Sequence, residues 1–184
     1  MLEDKPISTK EIVGIVITEL EKRNIIKRNL STFKNTEQLL FDYPKLKESI
    51  KDRKEQIKDY QEYGLPGKSK SITSINSNSK KEDMDDIISN SISSLKKDIY
   101  RTEVVIKFID TVLQRFKNDP YYEMIKLYFF ERKTYEQIAA EFDKRKNNGN
   151  SIAISTLASN KNRIVRELQK YIFPNDYLYQ MLGY

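Results

Sequence analysis

Residues 121–173 decide the fold of this chain: YYEMIKLYFFERKTYEQIAAEFDKRKNNGNSIAISTLASNKNRIVRELQKYIF. A mostly apolar run comes first, over residues 124–129, and Asp119 with Pro120 just before it favours the start of a helix of about three turns. Thr134 and Gln137 then stand three residues apart, which is the spacing of a capping box at the start of a second helix. We expect that second helix over residues 134–142.

A third helix is predicted to begin near Ser151 or Ser155 and to continue to Phe173. Its apolar residues recur at helical spacing and indicate a buried side: Leu157, Ile164, Leu168 and Ile172. The other side is polar and cationic, with Ser159, Asn160, Lys161, Asn162, Arg163 and Arg166. Two short helices followed by a third of this kind are typical of a helix-turn-helix that reads DNA.

The side chains on that polar side suggest two kinds of DNA contact. Asn and Arg form paired hydrogen bonds to adenine and guanine edges, whereas Lys mostly contacts phosphates. We therefore expect base contacts from Asn160, Asn162, Arg163 and Arg166, and phosphate contacts from Lys144, Arg145, Lys146, Lys161 and Lys170. Residues 143–170 hold seven basic and two acidic residues, so a charge of +5, out of +6 for the whole chain, lies in this segment.

The run over residues 123–142, EMIKLYFFERKTYEQIAAEF, resembles region four of the bacterial sigma-70 family. Together with TLASNKNRIVREL over residues 156–168, it makes the chain similar to the sigma-like phage late-gene regulators of the ArpU and RinA type. The resemblance covers about the last third of the chain. It implies a DNA-binding regulator of phage or prophage late genes, with bacterial RNA polymerase as a second expected partner.

The chain departs from the sigma pattern between the last two helices. Sigma region four has a short turn there, usually with a glycine at the place of Asp143, whereas residues 144–154 intervene in this chain. The insertion KRKNNGN is too polar for a core and too rich in Gly and Asn to favour a helix. We expect a wing-like loop that contacts phosphates.

The remaining sequence is predicted to be helical almost throughout. Nine positions alternate in spacings of four and three, and eight of them are apolar: Ile88, Ile92, Leu95, Ile99, Thr102, Ile106, Ile109, Leu113 and Phe116. Such a seam indicates one partner helix. We expect that partner to be the helix over residues 43–60, folded back as an antiparallel hairpin; the same helix of a second subunit, in a homodimer, is the alternative.

Two local features belong to that partner helix. Asn35 with Gln38 offers an N-cap, and Pro44 favours the first turn of a helix that starts near Asp42. The helix is predicted to end at the Gly64-Leu65-Pro66-Gly67 break. A flexible loop over about residues 64–80 follows, because its Ser, Lys, Asn and Thr residues offer little apolar surface to bury.

We therefore expect an all-α protein with two parts. Residues 1–118 form an N-terminal helical region with the long, coiled-coil-like hairpin, and residues 119–184 form the helix-turn-helix domain. The apolar residues among positions 177–184 are expected to dock on the domain or on a second protomer.

Composition excludes several classes of function. The chain has no His and no Cys, which removes disulfides, the usual zinc ligands and the commonest catalytic bases and nucleophiles. It has no glycine-rich phosphate loop, so we expect no enzyme, cofactor or metal site. The N-terminus lacks the pattern of a secretory signal, and residues 12–20 are too short to span a bilayer. We expect no membrane partner and a cytoplasmic location in the bacterial host cell.

Sequence-specific binding of double-stranded DNA to regulate transcription is thus the predicted function. Two alternatives stay open. Phage terminase small subunits also combine a helix-turn-helix with helical oligomerisation segments and recognise packaging DNA. A helical scaffold whose seam binds proteins would not need DNA at all.

Overall fold

Helices form all of the regular structure in residues 9–66, 84–146 and 152–174, the part of the chain that the computed structural model describes. They are α1 (Thr9–Lys22), α2 (Thr32–Tyr63), α3 (Met84–Gln114), α4 (Tyr122–Ile125), α5 (Tyr135–Lys146) and α6 (Ile154–Ile172). The all-α prediction is confirmed. The predicted loop after Pro66 and the apolar segment 177–184 lie outside the described residues.

The start of α2 differs from the prediction. Ser31 is its N-cap and accepts a hydrogen bond from the Lys34 amide at 3.3 Å. Asn35 lies one turn inside the helix, where its side chain accepts from the Lys27 amide and donates to the Lys27 carbonyl, both at 2.9 Å. An asparagine that bonds the preceding loop therefore mimics a cap in the sequence.

Pro44 was expected in the first turn of a helix, and that prediction is wrong, because Pro44 lies in the middle of α2. A proline inside a helix removes one backbone hydrogen bond and costs about 3 kcal/mol. Packing offsets this cost, since the neighbours Tyr43 and Leu46 are buried in the main core. Arg132 also donates to the Phe41 carbonyl at 2.7 Å, close to the proline.

Helix α2 ends at Tyr63, as the predicted break at Gly64 requires. Gly64 has a positive φ of 78°, a conformation that glycine adopts without strain, and its amide donates to the Tyr60 carbonyl at 3.2 Å. The prediction for this helix end is confirmed.

Helices α2 and α3 lie side by side and run in opposite directions. Lys54 pairs with Glu103 at 3.2 Å, and Lys47 pairs with Asp110 at 3.6 Å, so positions that advance along α2 retreat along α3. Four residues of the predicted seam are buried: Ile99, Thr102, Ile109 and Leu113. Thr102 accepts a hydrogen bond from Arg23 at 2.7 Å, which ties the one polar seam residue to the end of α1.

Two hydrophobic clusters hold the helices together. The main cluster joins α1, α2, α3 and α6, and its α6 members are Ile164, Val165, Leu168 and Ile172. The small cluster consists of Met124, Leu127, Ile138, Ala139, Phe142 and Leu157. Residues on both sides of position 118 thus share the main cluster, while the predicted division into two domains stays a prediction.

Helix α4 is shorter than the three turns expected. After one α-helical turn it continues as a π-helical turn over Lys126–Phe130, and the Glu131 amide donates to the Lys126 carbonyl at 3.0 Å. Arg132 then takes a left-handed conformation with φ 59°. A π-helical turn accommodates one residue more than an α-helical turn. Here it allows Ile125 and Phe129 to face the main cluster while Met124 and Leu127 face the small one.

Candidate nucleic-acid interface

The exposed side of α6 is a continuous polar stripe. Its members are Ser155, Ser159, Asn162, Arg163 and Arg166, all of them exposed, at spacings that follow the turns of a helix. The opposite side carries Leu157, Ile164, Leu168 and Ile172, which are at most 1 % exposed. The predicted division of this helix into a buried and a polar side is confirmed for these residues.

The capping box predicted at the start of α5 is present. The Thr134 amide donates to Gln137 Oε1 at 3.0 Å, and the Gln137 amide donates to Thr134 Oγ1 at 3.4 Å. Helix α5 begins at Tyr135 and packs Ile138 and Phe142 against Leu157 of α6. Two backbone amides that would otherwise lack partners are thereby satisfied, and the contact helps to fix the position of α6.

Lys161 does not lie on the exposed stripe. Only 8 % of this residue is exposed, and its Nζ lies 2.6 Å from Glu37 Oε1 and 5.2 Å from the centre of the Tyr128 ring. Burial alone would lower the pKa of Lys161, but the hydrogen bond and charge of Glu37 outweigh it and raise the pKa. The prediction of Lys161 as a phosphate contact is therefore corrected: this cation neutralises Glu37 inside the fold.

Asn160 is half-buried and occupied by local bonds. Its Nδ2 donates to the Thr156 carbonyl at 2.9 Å, and its Oδ1 accepts from Arg163 Nε at 3.2 Å. A base contact by Asn160 would require these bonds to be exchanged. In the observed arrangement it orients Arg163.

Arg163 is held by a carboxylate on the neighbouring turn. Its Nη2 donates to Asp119 Oδ2 at 2.8 Å and to Oδ1 at 3.0 Å. The Arg163 side chain is 47 % exposed, whereas that of Asp119 is only 15 % exposed. Asp119 Oδ1 also accepts from the Tyr121 amide at 2.9 Å, so Asp119 both opens the turn before α4 and positions Arg163.

Arg166 and Asn162 occupy the centre of the stripe. Both are exposed, and the Arg166 guanidinium carbon lies 5.9 Å from the centre of the Phe33 ring on α2. These two side chains stand four residues apart, which places them on the same face of α6 about 6 Å from each other along the axis. They are the predicted base-contact residues that the fold leaves most accessible.

The basic triplet after Asp143 is not a loop, contrary to the prediction. Helix α5 continues through Lys146, and Lys144 is an exposed residue of that helix. The side chains of Arg145 and Lys146, and residues 147–151, lie outside the described residues. The chain is described again from Ile152, whose amide donates to Asp143 Oδ1 at 2.9 Å. Lys170 lies near the end of α6 and pairs with Glu167 at 2.5 Å.

Two acidic residues of this region were missed by the sequence analysis. Asp119 and Glu37 hold Arg163 and Lys161 from positions 44 and 124 residues away in the chain. No local pattern marks such pairs, because only the packing of α6 against α2 and against the turn before α4 brings them together. The net charge of +5 in residues 143–170 therefore overstates the positive charge that the folded surface offers.

Among the described residues, no group of three or more acidic side chains is arranged to hold a metal ion, and no helix is long and apolar enough to cross a membrane. Comparison of the chain with protein-family models, with curated proteins and with solved structures finds no match.

Proposed function

We propose that this chain binds double-stranded DNA in a sequence-specific way and regulates transcription as a sigma-like factor of phage or prophage late genes. The observation that carries the proposal is the exposed polar stripe of α6, on a helix whose other side is fixed in two hydrophobic clusters. The late-gene role and contact with bacterial RNA polymerase rest on the sequence resemblance described above.

In this proposal α6 enters the major groove, which is wide enough for one helix. Asn162 and Arg166 contact base edges, with Asn favouring adenine and Arg favouring guanine. Ser155 and Ser159 lie on the same stripe, toward the N-terminus of α6, and contact the backbone. Lys144 on α5 contacts a phosphate beside the groove.

Arg163 takes part through an exchange of partners. In the free protein its guanidinium is bonded to both oxygens of Asp119. A guanine edge offers two acceptors in a similar geometry, so DNA can replace the carboxylate without leaving the guanidinium unpaired. The negative charge of Asp119 opposes the approach of phosphates, so this exchange lowers non-specific affinity.

Selection of bound sequences from a pool of random duplexes tests the proposal. We expect one enriched motif. Arg166→Ala should then lose about 1–3 kcal/mol of binding free energy at that motif and relax the choice of one base. Lys144→Ala should weaken binding to all duplexes alike and reduce the slope of log affinity against log salt by about one phosphate contact.

A matched control is Lys51→Ala, which removes an exposed lysine from the middle of α2, away from α6, and should change neither quantity. Absence of binding at low salt would end the proposal. A ring-shaped oligomer that selects packaging DNA rather than promoter DNA would assign the chain to the terminase small subunits instead.

Asp119→Asn probes the exchange at Arg163. The amide keeps an oxygen for the Tyr121 backbone but removes the charge that holds Arg163. We expect tighter binding to selected and random duplexes alike, measured by fluorescence anisotropy. Unchanged affinity for both would show that Arg163 and Asp119 stay paired in the complex.

A further inference from the structure

A second surface lies on the far side of α3 from α2. It is a groove of about 580 Å³ between α1, α3 and the end of α6. Its lining is mainly apolar, and it includes Val104 and Phe108 of α3. Three large apolar side chains at the groove are unusually exposed: Ile15 at 44 %, Tyr100 at 63 % and Tyr171 at 42 %. Grouped apolar exposure of this kind marks a site of interaction.

The charges of the groove all have one sign. Arg101, Lys107, Arg115 and Lys170 line it, and none of its described lining residues is acidic. Lys170 is paired with Glu167, and the Arg115 guanidinium lies 4.8 Å from the centre of the Tyr171 ring. The partner therefore needs carboxylates around an apolar surface. DNA lacks the apolar part, since its phosphate backbone would leave Ile15 and Tyr100 against a charged strand.

The shape of the groove fits a helix. Helix α3 contributes lining residues from Tyr100 to Arg115, at spacings of one, three and four, so the lined face is continuous over about four turns or roughly 22 Å. A concave apolar surface of this length receives one helix of about 15 residues, with side chains at positions i, i+3, i+4 and i+7 as anchors.

We propose that this groove binds an acidic amphipathic helix of a partner protein. The apolar face of that helix packs on Val104, Phe108 and Tyr171, and its flanking carboxylates pair with Arg101, Lys107 and Arg115. A second copy of this chain fits less well, because the chain has a net charge of +6 and the groove is basic. The groove is separate from the α6 stripe, so the proposal does not depend on DNA binding.

The test uses the full chain and a fluorescent synthetic helix of about 16 residues, with Leu at i, i+3, i+4 and i+7 and Glu on both flanks. A second peptide has Lys in place of every Glu. Anisotropy should show the acidic peptide binding at least about tenfold more tightly than the basic one, which corresponds to about 1.4 kcal/mol. Equal affinities, or no binding of the acidic peptide, would overturn the proposal.

Two variants locate the binding. Tyr100→Glu places a carboxylate in the groove, and the double variant Arg101→Glu with Lys107→Glu reverses its charge; each should weaken the acidic peptide at least about tenfold. Tyr63→Glu and the double variant Lys51→Glu with Lys58→Glu make the same changes at exposed sites of α2 and should have no effect. Circular dichroism confirms that each variant is folded.

Three other results would contradict the proposal. Peptide binding that persists unchanged in Tyr100→Glu would place the site elsewhere. A stable dimer that dissociates in Tyr100→Glu, measured by sedimentation, would assign the groove to a second copy. Binding to vesicles of anionic lipid, but not to the acidic peptide, would assign it to a membrane surface.

Discussion

Lys161 shows how a single ion pair decides which side of a recognition helix faces outward. Its stem and ammonium lie against Tyr128 and Phe129, and Glu37 supplies the opposite charge at 2.6 Å. A buried charge is tolerated only when it is paired and hydrogen-bonded. The pair therefore fixes the rotation of α6 about its axis, which in turn places Asn162 and Arg166 in solvent.

We expect Lys161→Met to lower the free energy of unfolding by about 1–3 kcal/mol. Methionine keeps the apolar stem, but it removes the partner of the partly buried Glu37 carboxylate. Urea denaturation measures the loss. Lys117→Met, at an exposed position, should stay within about 0.5 kcal/mol of the parent. Adding Glu37→Gln to Lys161→Met should recover part of the loss, and a further loss would argue against this explanation.

Tyr43 makes the stability depend on alkaline pH. Burial, followed by the hydrogen bond that its hydroxyl donates to Asp110 and the charge of that carboxylate, raises the pKa of Tyr43 in the folded chain. A raised pKa means that this stabilisation is complete below the unfolded value of about 10 and is lost as pH rises through the folded value.

We therefore expect the free energy of unfolding to fall above about pH 10 and Tyr43→Phe to make that fall less steep. It should not abolish the fall, because the pKa values of Tyr122 and Lys161 are raised as well. Urea denaturation at a series of pH values measures the slope. Tyr100→Phe serves as the exposed control. The same slope in Tyr43→Phe and in the parent would contradict the assignment.

At the scale of elements, α5 illustrates how much a short helix depends on its first turn. It has 12 residues, and its capping box satisfies two amides at Thr134 and Gln137. Isolated helices of this length are marginal in water. The cap and the contact with Leu157 together hold α5 behind α6.

Thr134→Ala should destabilise the chain by about 1 kcal/mol, because the Gln137 amide loses its acceptor. Thr111→Ala is a matched control: it removes an exposed threonine from the interior of α3, where alanine favours the helix, and should not destabilise the chain. Thermal unfolding followed by circular dichroism compares the two. An equal effect of both substitutions would show that the capping box contributes nothing specific.

The elements also show which features a sequence can predict. Local signals were sufficient for the capping box at Thr134, the helix end before Gly64 and the buried side of α6, because neighbouring residues determine each of them. The prediction was wrong where distant packing decides. Pro44 stays inside α2, Lys161 is buried by Glu37, and the triplet that begins at Lys144 extends α5.

At the scale of the whole molecule, α6 belongs to a core shared with the N-terminal helices. Leu168 and Ile172 pack in the same cluster as Leu20 of α1 and Leu39 of α2. Gln169 adds a polar link by donating to Thr32 at the start of α2 at 2.5 Å. The helix that carries the proposed interface is therefore stabilised by both ends of the chain.

We expect the chain to unfold in one transition, with coincident urea midpoints by circular dichroism and tyrosine fluorescence. Leu168→Ala should lower the free energy of unfolding by about 2–5 kcal/mol and shift both midpoints together. Ser159→Ala, on the exposed stripe, is the control. Two separate transitions, with only one shifted by Leu168→Ala, would instead support independent domains over residues 1–118 and 119–184.

The π-helical turn over Lys126–Phe130 has a consequence for insertions and deletions. Loss of one residue from it would restore regular α-helical spacing and rotate the preceding residues by about 100° relative to those that follow. Met124 and Ile125 would then leave their separate clusters. Homologous chains can therefore vary in length elsewhere, but at this turn a change of a single codon would misalign the whole support of α6.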